Sequence, residues 1–366
     1  VKILFVINVD FALAQFLLPL MRGARARGHE VVGVCADGPL LAGVRAEGFR
    51  VETAPLVRRL APRQQARALR ALVDIMRRER PDLVHAHMPI SGLLGRVAAR
   101  WCGVRRVAYT CHGFLFNQPG KWPRPALSLL LEWIGGRLTD VYLTVSAAEA
   151  ADARRLWIAR GAVAVGNGRN PAVFRPDAAA RARVRAELGV AAERPVVVAV
   201  SRLVRHKGYP ELLAAMRGVD ADLWVVGARL DSDHGEDLGA LFADSGLGGR
   251  LLMLGYRADV PALLAAADVF VLPSHFEGLP MSVIEAMLCG LPVVASDIKG
   301  PREQVVEAET GLLVPAGAVE PLAAALRRLA DDPALRRRMG AAGRARAMER
   351  FDEGRVVART LDLLGL

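Results

Sequence analysis

The chain reads as an α/β protein made of two successive doubly wound, Rossmann-like parallel-sheet domains. Short runs rich in Val, Ile and Leu alternate with helix-period stretches along its length. Those runs lack polar alternation, as strands covered on both faces of a sheet do. The rhythm breaks at the turn-rich GNGRNP, Gly166 to Pro171, and then starts again. With 366 residues there is enough chain for two separate cores.

In order, the first half offers strands at KILFVIN, EVVGVC, DLVHAH, RRVAYTCH, DVYLTVS and AVAVGNG, with helices through FLLPLMRGARARG, SGLLGRVAARWCG and the region Pro125 to Leu138. The second half repeats the pattern with RPVVVAVSR, DLWVVGA, RLLMLG, DVFVLPS, PVVASD and GLLVPA, and ends in two helical segments split near Phe351-Asp352. The expected division is a first domain over 1–166, a linker over 167–171, a second domain over 172–347 and a final helix over 348–366.

Composition narrows the function classes. A hydrophobic share of 52% and a mean hydropathy of +0.25 exclude a disordered chain. No apolar run reaches the roughly 18 residues of a membrane span. VKILFVINVD has no secretory layout and reads as a first strand, so a cytoplasmic protein is expected. Cys35, Cys102, Cys111 and Cys289 form no C-x-x-C pair, which points to reduced thiols rather than a zinc site.

The net charge of +11 is unevenly shared: residues 1–165 hold 24 Lys and Arg against 12 Asp and Glu, the remainder 25 against 26. Its densest run, Arg58 to Arg80, places Leu69, Leu72, Val73 and Met76 on one helical face. Such a helix suits peripheral contact with an anionic membrane or a phosphorylated acceptor, or is simply a packed surface helix. Without interleaved aromatics or a recognisable module, nucleic acid is not an expected partner.

Chemistry concentrates in PSHFEGLPMSVIEAMLCG, Pro273 to Gly290. The apolar DVFVL precedes it, Gly278 and Pro280 turn the chain, and Met281, Ile284 and Leu288 mark a helix. Glu277 falls in the loop and Glu285 about one turn into the helix, beyond a strand's carboxyl end, where open parallel sheets bind ligands. The helix start offers backbone N–H groups to a phosphate. In SRLVRHKGYPELL, Arg202 leaves a strand and Lys207 precedes a helix, so both cations can reach the same phosphate.

Glu277-x7-Glu285 within FEGLPMSVIEAMLCGLPVVASD, together with SRLVRHKG, resembles the signature of the retaining glycosyltransferases of family 4. The resemblance covers nearly the whole chain. It implies the GT-B arrangement, two Rossmann-like domains facing across a cleft with the last helix crossing back to the first, and transfer from a nucleotide-sugar donor without cofactor or metal. Asp231-Ser232-Asp233 then reads as a solvated turn rather than a metal site. By the same resemblance, Arg202 and Lys207 clamp the diphosphate, Glu285 takes the ribose hydroxyls and Glu277 the transferred sugar. Gly278, Leu279, Met281 and Ser282 lie beside phosphates and sugar, and Tyr256 or Arg257 beside the base.

In the first half, YTCHGF resembles the family's H-G element, so His112 would face the sugar; a structural histidine capping a strand is the competing reading. His85 and His87 share a strand face and make an incomplete metal site, which favours a core or acceptor-side role for them. Where many relatives carry Gly-Gly after the first strand, this chain has Asn8-Val9-Asp10-Phe11-Ala12, with Asp10 and Phe11 as acceptor-side candidates. FLLPL, HAHMPISGLLGR and TCHGF resemble the branch that builds envelope polysaccharides on lipid carriers. The expected donor is a UDP-sugar, with a GDP-sugar second, and the expected acceptor a saccharide, lipid-linked. An epimerase or phosphorylase on the same architecture, or a non-catalytic nucleotide-sugar-binding scaffold, are the rival readings.

Overall fold

Strands that are apolar on both faces need helices on each side, and the chain builds that sandwich twice. The computed structural model describes residues 1–57, 61–118, 123–229 and 237–366; Asp231-Ser232-Asp233 and Arg58, the first residue of the basic run, lie outside them. It divides into two units, Val1–Gly166 with Gly354–Leu366, and Asn167–Glu353.

The first unit carries seven strands: β1 (Lys2–Val6), β2 (Glu30–Cys35), β3 (Arg50–Thr53), β4 (Leu83–His87), β5 (Arg106–Cys111), β6 (Val141–Thr144) and β7 (Val163–Ala164). They lie in the order β3-β2-β1-β4-β5-β6-β7, all pairings parallel. In the second unit β8 (Val196–Val200), β9 (Asp222–Val226), β10 (Leu251–Gly255), β11 (Val269–Leu272), β12 (Val293–Ser296) and β13 (Gly311–Val314) follow the order β10-β9-β8-β11-β12-β13, again parallel. The order reverses direction at β1/β4 and at β8/β11. At each reversal the loops leave for opposite sides and open a crevice beyond the strand ends.

β3 has no counterpart among the strands expected from sequence. RVET is an edge strand with no fully buried residue, so it presents no apolar run to recognise. The first helical stretch also differs from a plain helix. Between α-helical Asp10–Ala12 and Leu18–Ala26 the chain widens into a π turn at Leu13–Leu17, with Leu18 N–H bonding to Leu13 O. Pro19 explains it: it has no N–H, and its ring would strike the carbonyl four residues back in a regular helix.

The basic helix spans Pro62–Glu79, and its apolar stripe is spent on the core. Ala68, Leu72, Val73, Ile75 and Met76 are buried with β1, β2 and β4 side chains. The face left outward bears Arg63, Arg67, Arg70, Arg77 and Arg78. Of the readings open for this stretch, the packed surface helix accounts for its apolar stripe, and what it leaves outward for any anionic partner is cationic.

A second interior cluster holds the neighbouring helices. Fully buried Arg96 lies over the Tyr109 ring at 3.7 Å and 3.6 Å from Glu132, which accepts bonds from the hydroxyls of Tyr109 (3.2 Å) and Tyr142 (3.0 Å). Burial and the Glu132 carboxylate push both tyrosine pKa values well up, so both hydroxyls stay protonated donors. Gly135 makes room for this arrangement: a Cβ there would stand 2.5 Å from the guanidinium, which would have to move.

At the C-terminus, helix Pro333–Arg350 belongs to the second unit and helix Glu353–Leu363 to the first. The expected boundary at 348 thus falls inside the last turn of Pro333–Arg350; the chain breaks at Phe351-Asp352. Leu361 and Leu364 join the core formed by the first helix and β1. Among the cysteines, Cys35, Cys111 and Cys289 are buried and Cys102 half-buried, all as thiols.

Candidate functional site

At the β8/β11 reversal, two loops are brought into contact by backbone geometry. After β8 the chain passes through a 3-10 turn at Arg205–Lys207 to Gly208, which has φ +77° and starts helix Tyr209–Met216. A Cβ on Gly208 would lie 2.0 Å from the Pro273 carbonyl oxygen, so only glycine lets the β8 loop meet the β11 loop. His275 N–H donates to His206 O at 2.8 Å and fastens the two together.

This contact places Lys207 Nζ 2.6 Å from Glu277 Oε1, with side-chain exposures of 14% and 9%. The hydroxyl of fully buried Ser274 donates to the same oxygen at 2.6 Å. Glu277 is therefore fixed through Oε1, leaving Oε2 as its second acceptor. Arg202 stands half-buried two residues beyond β8.

The turn Gly278-Leu279-Pro280 is held by its carbonyls. Asn167 Nδ2 donates to Leu279 O at 2.7 Å, and buried Gln304 Nε2 to Pro280 O at 2.9 Å. Gly300, φ +87°, packs against Gly278, where a Cβ would meet its carbonyl oxygen at 2.1 Å. Helix Met281–Leu288 begins after Pro280, and no side chain among the described residues caps it. The backbone N–H groups of Met281, Ser282 and Val283 thus carry the positive end of the helix dipole toward the strand-end crevice, while Pro280 has none to give.

Glu285, one turn on, is 7% exposed and takes Arg169 Nε at 2.6 Å. Cys289 lies below it, its thiol pushed up to about 12 by burial and, secondarily, by this carboxylate. Met281 and Ser282 are half-buried and Leu279 buried.

Tyr256 and Arg257 follow β10, two strands from the reversal. Tyr256 is 67% exposed. Arg257 is engaged elsewhere, with Asp259 at 2.7 Å and Glu187 at 3.1 Å, and these carboxylates raise its pKa further. Of the two, Tyr256 is the side chain that keeps a face for stacking.

The first unit's reversal assembles histidines. His87, ending β4, shares a 3.1 Å hydrogen bond through Nδ1 with His112 Nε2, just past β5. His85 bonds Thr110 Oγ1 at 2.8 Å, and its ring centroid is 4.1 Å from that of His87. Enclosure lowers the His112 pKa to about 4 and that of His85 to about 3, and puts His87 well below its usual value. All three rings are uncharged at neutral pH, so His112 offers a polar ring nitrogen and no charge. Phe16 stacks on His112 at 6.3 Å, and Phe11, 39% exposed, stands edge-on to Phe16 at 6.1 Å. Met88, directly after His87, has φ +66°, a strained value for a side-chain-bearing residue. Asp10 is committed to backbone: its carboxylate accepts Phe11 N–H at 2.7 Å and Leu40 N–H at 3.2 Å.

Nothing in the sequence marks Asn167, Arg169, Ser274 or Gln304 as site residues. Ser274 sits inside the glutamate motif; Asn167 and Arg169 lie in GNGRNP, which reads as punctuation. Their partners are more than a hundred positions away, so no local spacing betrays them.

Two doubly wound parallel-sheet units, one with a cation, two carboxylates and an uncapped helix start at its reversal, define a GT-B glycosyltransferase. The chain belongs to family 4 of these enzymes: residues 180–346 match the Glycosyl transferases group 1 model and 13–173 the Glycosyltransferase Family 4 model. It is 30% identical to the Escherichia coli UDP-Gal:alpha-D-GlcNAc-diphosphoundecaprenol alpha-1,3-galactosyltransferase, over 76% of this chain and 74% of the relative. It is 34% identical to the GDP-mannose-dependent alpha-(1-6)-phosphatidylinositol monomannoside mannosyltransferase of Mycolicibacterium smegmatis, over 74% and 73%. The fold matches Anabaena Alr3699/HepE, in complex with UDP and glucose, at a TM-score of 0.86 and 23% identity, covering 100% of this chain and 99% of the other. The protein is a retaining glycosyltransferase that moves a sugar from a nucleotide donor to an acceptor. Envelope polysaccharide enzymes are among its homologues.

Proposed function

We propose that the donor is a UDP-sugar, with a GDP-sugar second, and that the acceptor is a lipid-linked saccharide of envelope polysaccharide assembly, met at the cytoplasmic face of the membrane. The observation that carries the donor reading is the grouping of Lys207, Glu277, Glu285 and the uncapped helix start around one strand-end crevice. Arg202, Lys207 and the N–H groups of Met281 and Ser282 take the diphosphate, whose charge grows as the anomeric bond breaks. Two cations and a dipole end supply there what a divalent ion supplies elsewhere. Glu277 orients the transferred sugar, Glu285 the ribose, and Tyr256 stacks on the base, with Arg257 the lesser candidate beside it. The acceptor hydroxyl attacks from the face the diphosphate leaves, which itself can take the proton. His112, with His87 and Phe11 beside it, serves the sugar and acceptor side.

The relatives' names support both halves of this reading, since they pair UDP-Gal with a diphosphoundecaprenol-linked sugar and GDP-mannose with a phosphatidylinositol mannoside. A panel of UDP- and GDP-sugars tested by thermal shift is the direct test. The true donor at about 100 times its Kd adds about 2.7 kcal/mol and raises Tm, whereas a panel in which no nucleotide sugar shifts Tm would remove the donor reading.

Membrane contact is better supported by helix Arg124–Arg137 than by the basic helix. Its outward stripe is Leu127 (44% exposed), Leu130 (52%), Trp133 (42%) and Ile134 (40%), with Arg124 and Arg137 at its ends. The Arg137 guanidinium lies 4.1 Å from the Trp133 ring centroid. An apolar stripe capped by arginines complements an anionic bilayer, cations at the headgroups and side chains below them. Vesicles containing anionic lipid should bind the protein, less so as salt rises, and Leu130→Asp/Ile134→Asp should abolish binding. Equal binding to neutral vesicles, or binding that survives the double substitution, counts against this surface. No helix among the described residues is long and apolar enough to cross a membrane.

A further inference from the structure

Arg169 is a residue of the turn-rich segment GNGRNP, yet its side chain reaches the donor-site carboxylate 116 positions away. We propose that Arg169 is the positioning residue for recognition of the donor's ribose: it locks Glu285 through Oε1 so that Oε2 is presented to the ribose hydroxyls. The inference rests on the reading of Glu285 as the ribose ligand.

The geometry makes the arginine a fixed arm. Its backbone is held on both sides, with Arg169 N–H donating to Phe351 O at 3.0 Å and Glu353 N–H donating to Arg169 O at 3.1 Å, an isolated parallel bridge centred on Asp352. Gly168 allows this close passage, since a Cβ there would stand 2.7 Å from the Glu353 Cα. The following turn is pinned by Asn170, whose side chain accepts Ala172 N–H at 2.9 Å and whose carbonyl accepts Phe174 N–H at 3.0 Å. That turn sets the Phe174 ring 5.9 Å from the guanidinium carbon. From this anchored base Nε reaches Glu285 at 2.6 Å, with side-chain exposures of 12% and 9%.

A glutamate on a helix has several side-chain rotamers, and only one places a given oxygen where a ribose diol can reach it. Pairing with a planar guanidinium in a nearly water-free setting selects that rotamer before the nucleotide arrives. Lysine, with a longer flexible stem and no planar edge, would hold the charge but not the angle.

A merely structural tie and a positioning residue differ in one readout, discrimination between ribose and deoxyribose. Binding of UDP and 2′-deoxy-UDP, and of GDP and 2′-deoxy-GDP, is measured by calorimetry for the intact protein and for Arg169→Gln, Arg169→Lys and Glu285→Ala. Loss of a hydrogen bond to a charged group predicts that the wild type prefers the ribonucleotide by about 10- to 100-fold. Glu285→Ala should bring that ratio to about one, Arg169→Gln to within about threefold of one, and Arg169→Lys to a value between. An Arg169→Gln protein that keeps the wild-type ratio, whatever its absolute affinity, overturns the proposal while leaving Glu285 as the ribose ligand. A wild-type ratio near one overturns both. Should Arg169→Gln fail to fold, the ratio in Arg169→Lys decides: an undiminished preference there is the overturning result.

Discussion

Replacing Glu277 by alanine is expected to lower kcat by roughly 10²- to 10³-fold while leaving the Kd for the nucleoside diphosphate within about threefold of wild type. The asymmetry follows from what Glu277 touches. Lys207 and Ser274 both donate to Oε1, so the carboxylate is fixed through that oxygen, and the proposed role gives its second oxygen to a sugar hydroxyl. Uridine or guanosine diphosphate carries no transferred sugar and has no use for that oxygen. Removing the carboxylate also relieves Lys207 of a partner 2.6 Å away, and its ammonium then faces the phosphates undivided. Binding should hold or tighten as turnover collapses. Steady-state kinetics at saturating donor, beside calorimetry with UDP and GDP, check it; parallel losses in kcat and affinity would deny Glu277 its role at the sugar.

The second large effect is expected at Lys207. The chain has only four lysines among its 49 Lys and Arg, and one of them, Lys207, is the residue proposed to meet the diphosphate. A compact ammonium with three donors can serve Glu277 and a phosphate oxygen together, which suits the place where the β8 and β11 loops meet. Lys207→Ala should reduce kcat/KM by about 2.7 to 4 kcal/mol, a factor of roughly 10² to 10³, and weaken UDP binding as well. It should also destabilise the fold by about 3 kcal/mol, because a mostly buried carboxylate is left without its cation. Lys207→Ala/Glu277→Ala should regain much of that stability and none of the activity, since the two losses share one interaction. Denaturant unfolding of the single and double variants separates the two effects. A Lys207→Ala protein with wild-type UDP affinity would remove the diphosphate assignment.

Much of the site is legible in the chain because its parts are local. Glu277 and Glu285 share one strand-loop-helix segment, and Arg202 and Lys207 another; each segment's period and turn residues say which end of a strand it leaves. The strands are equally plain where both faces are buried, as at Val196–Val200, and vanish where they are not, as at Arg50–Thr53. The basic helix shows the limit of period alone. A stripe of Leu72, Val73 and Met76 looks the same whether it meets lipid or a sheet, and only the fold assigns it to the core. Asp10 is similar: nothing near it in sequence reveals that Leu40 N–H donates to its carboxylate.

The succession of strands and helices along the chain, the two-fold repetition and the identity of the charged groups were set by short-range pattern, because alternation, helical period and turn chemistry act over a few residues; the order of the strands within each sheet was not. The pairing of those groups was decided in three dimensions. Gly208 admits Pro273, Lys207 thereby meets Glu277, and Arg169 reaches Glu285 across 116 positions. Such contacts depend on parallel crossovers that bring distant loops to one end of a sheet, and a crossover leaves no trace in the spacing of the residues it joins.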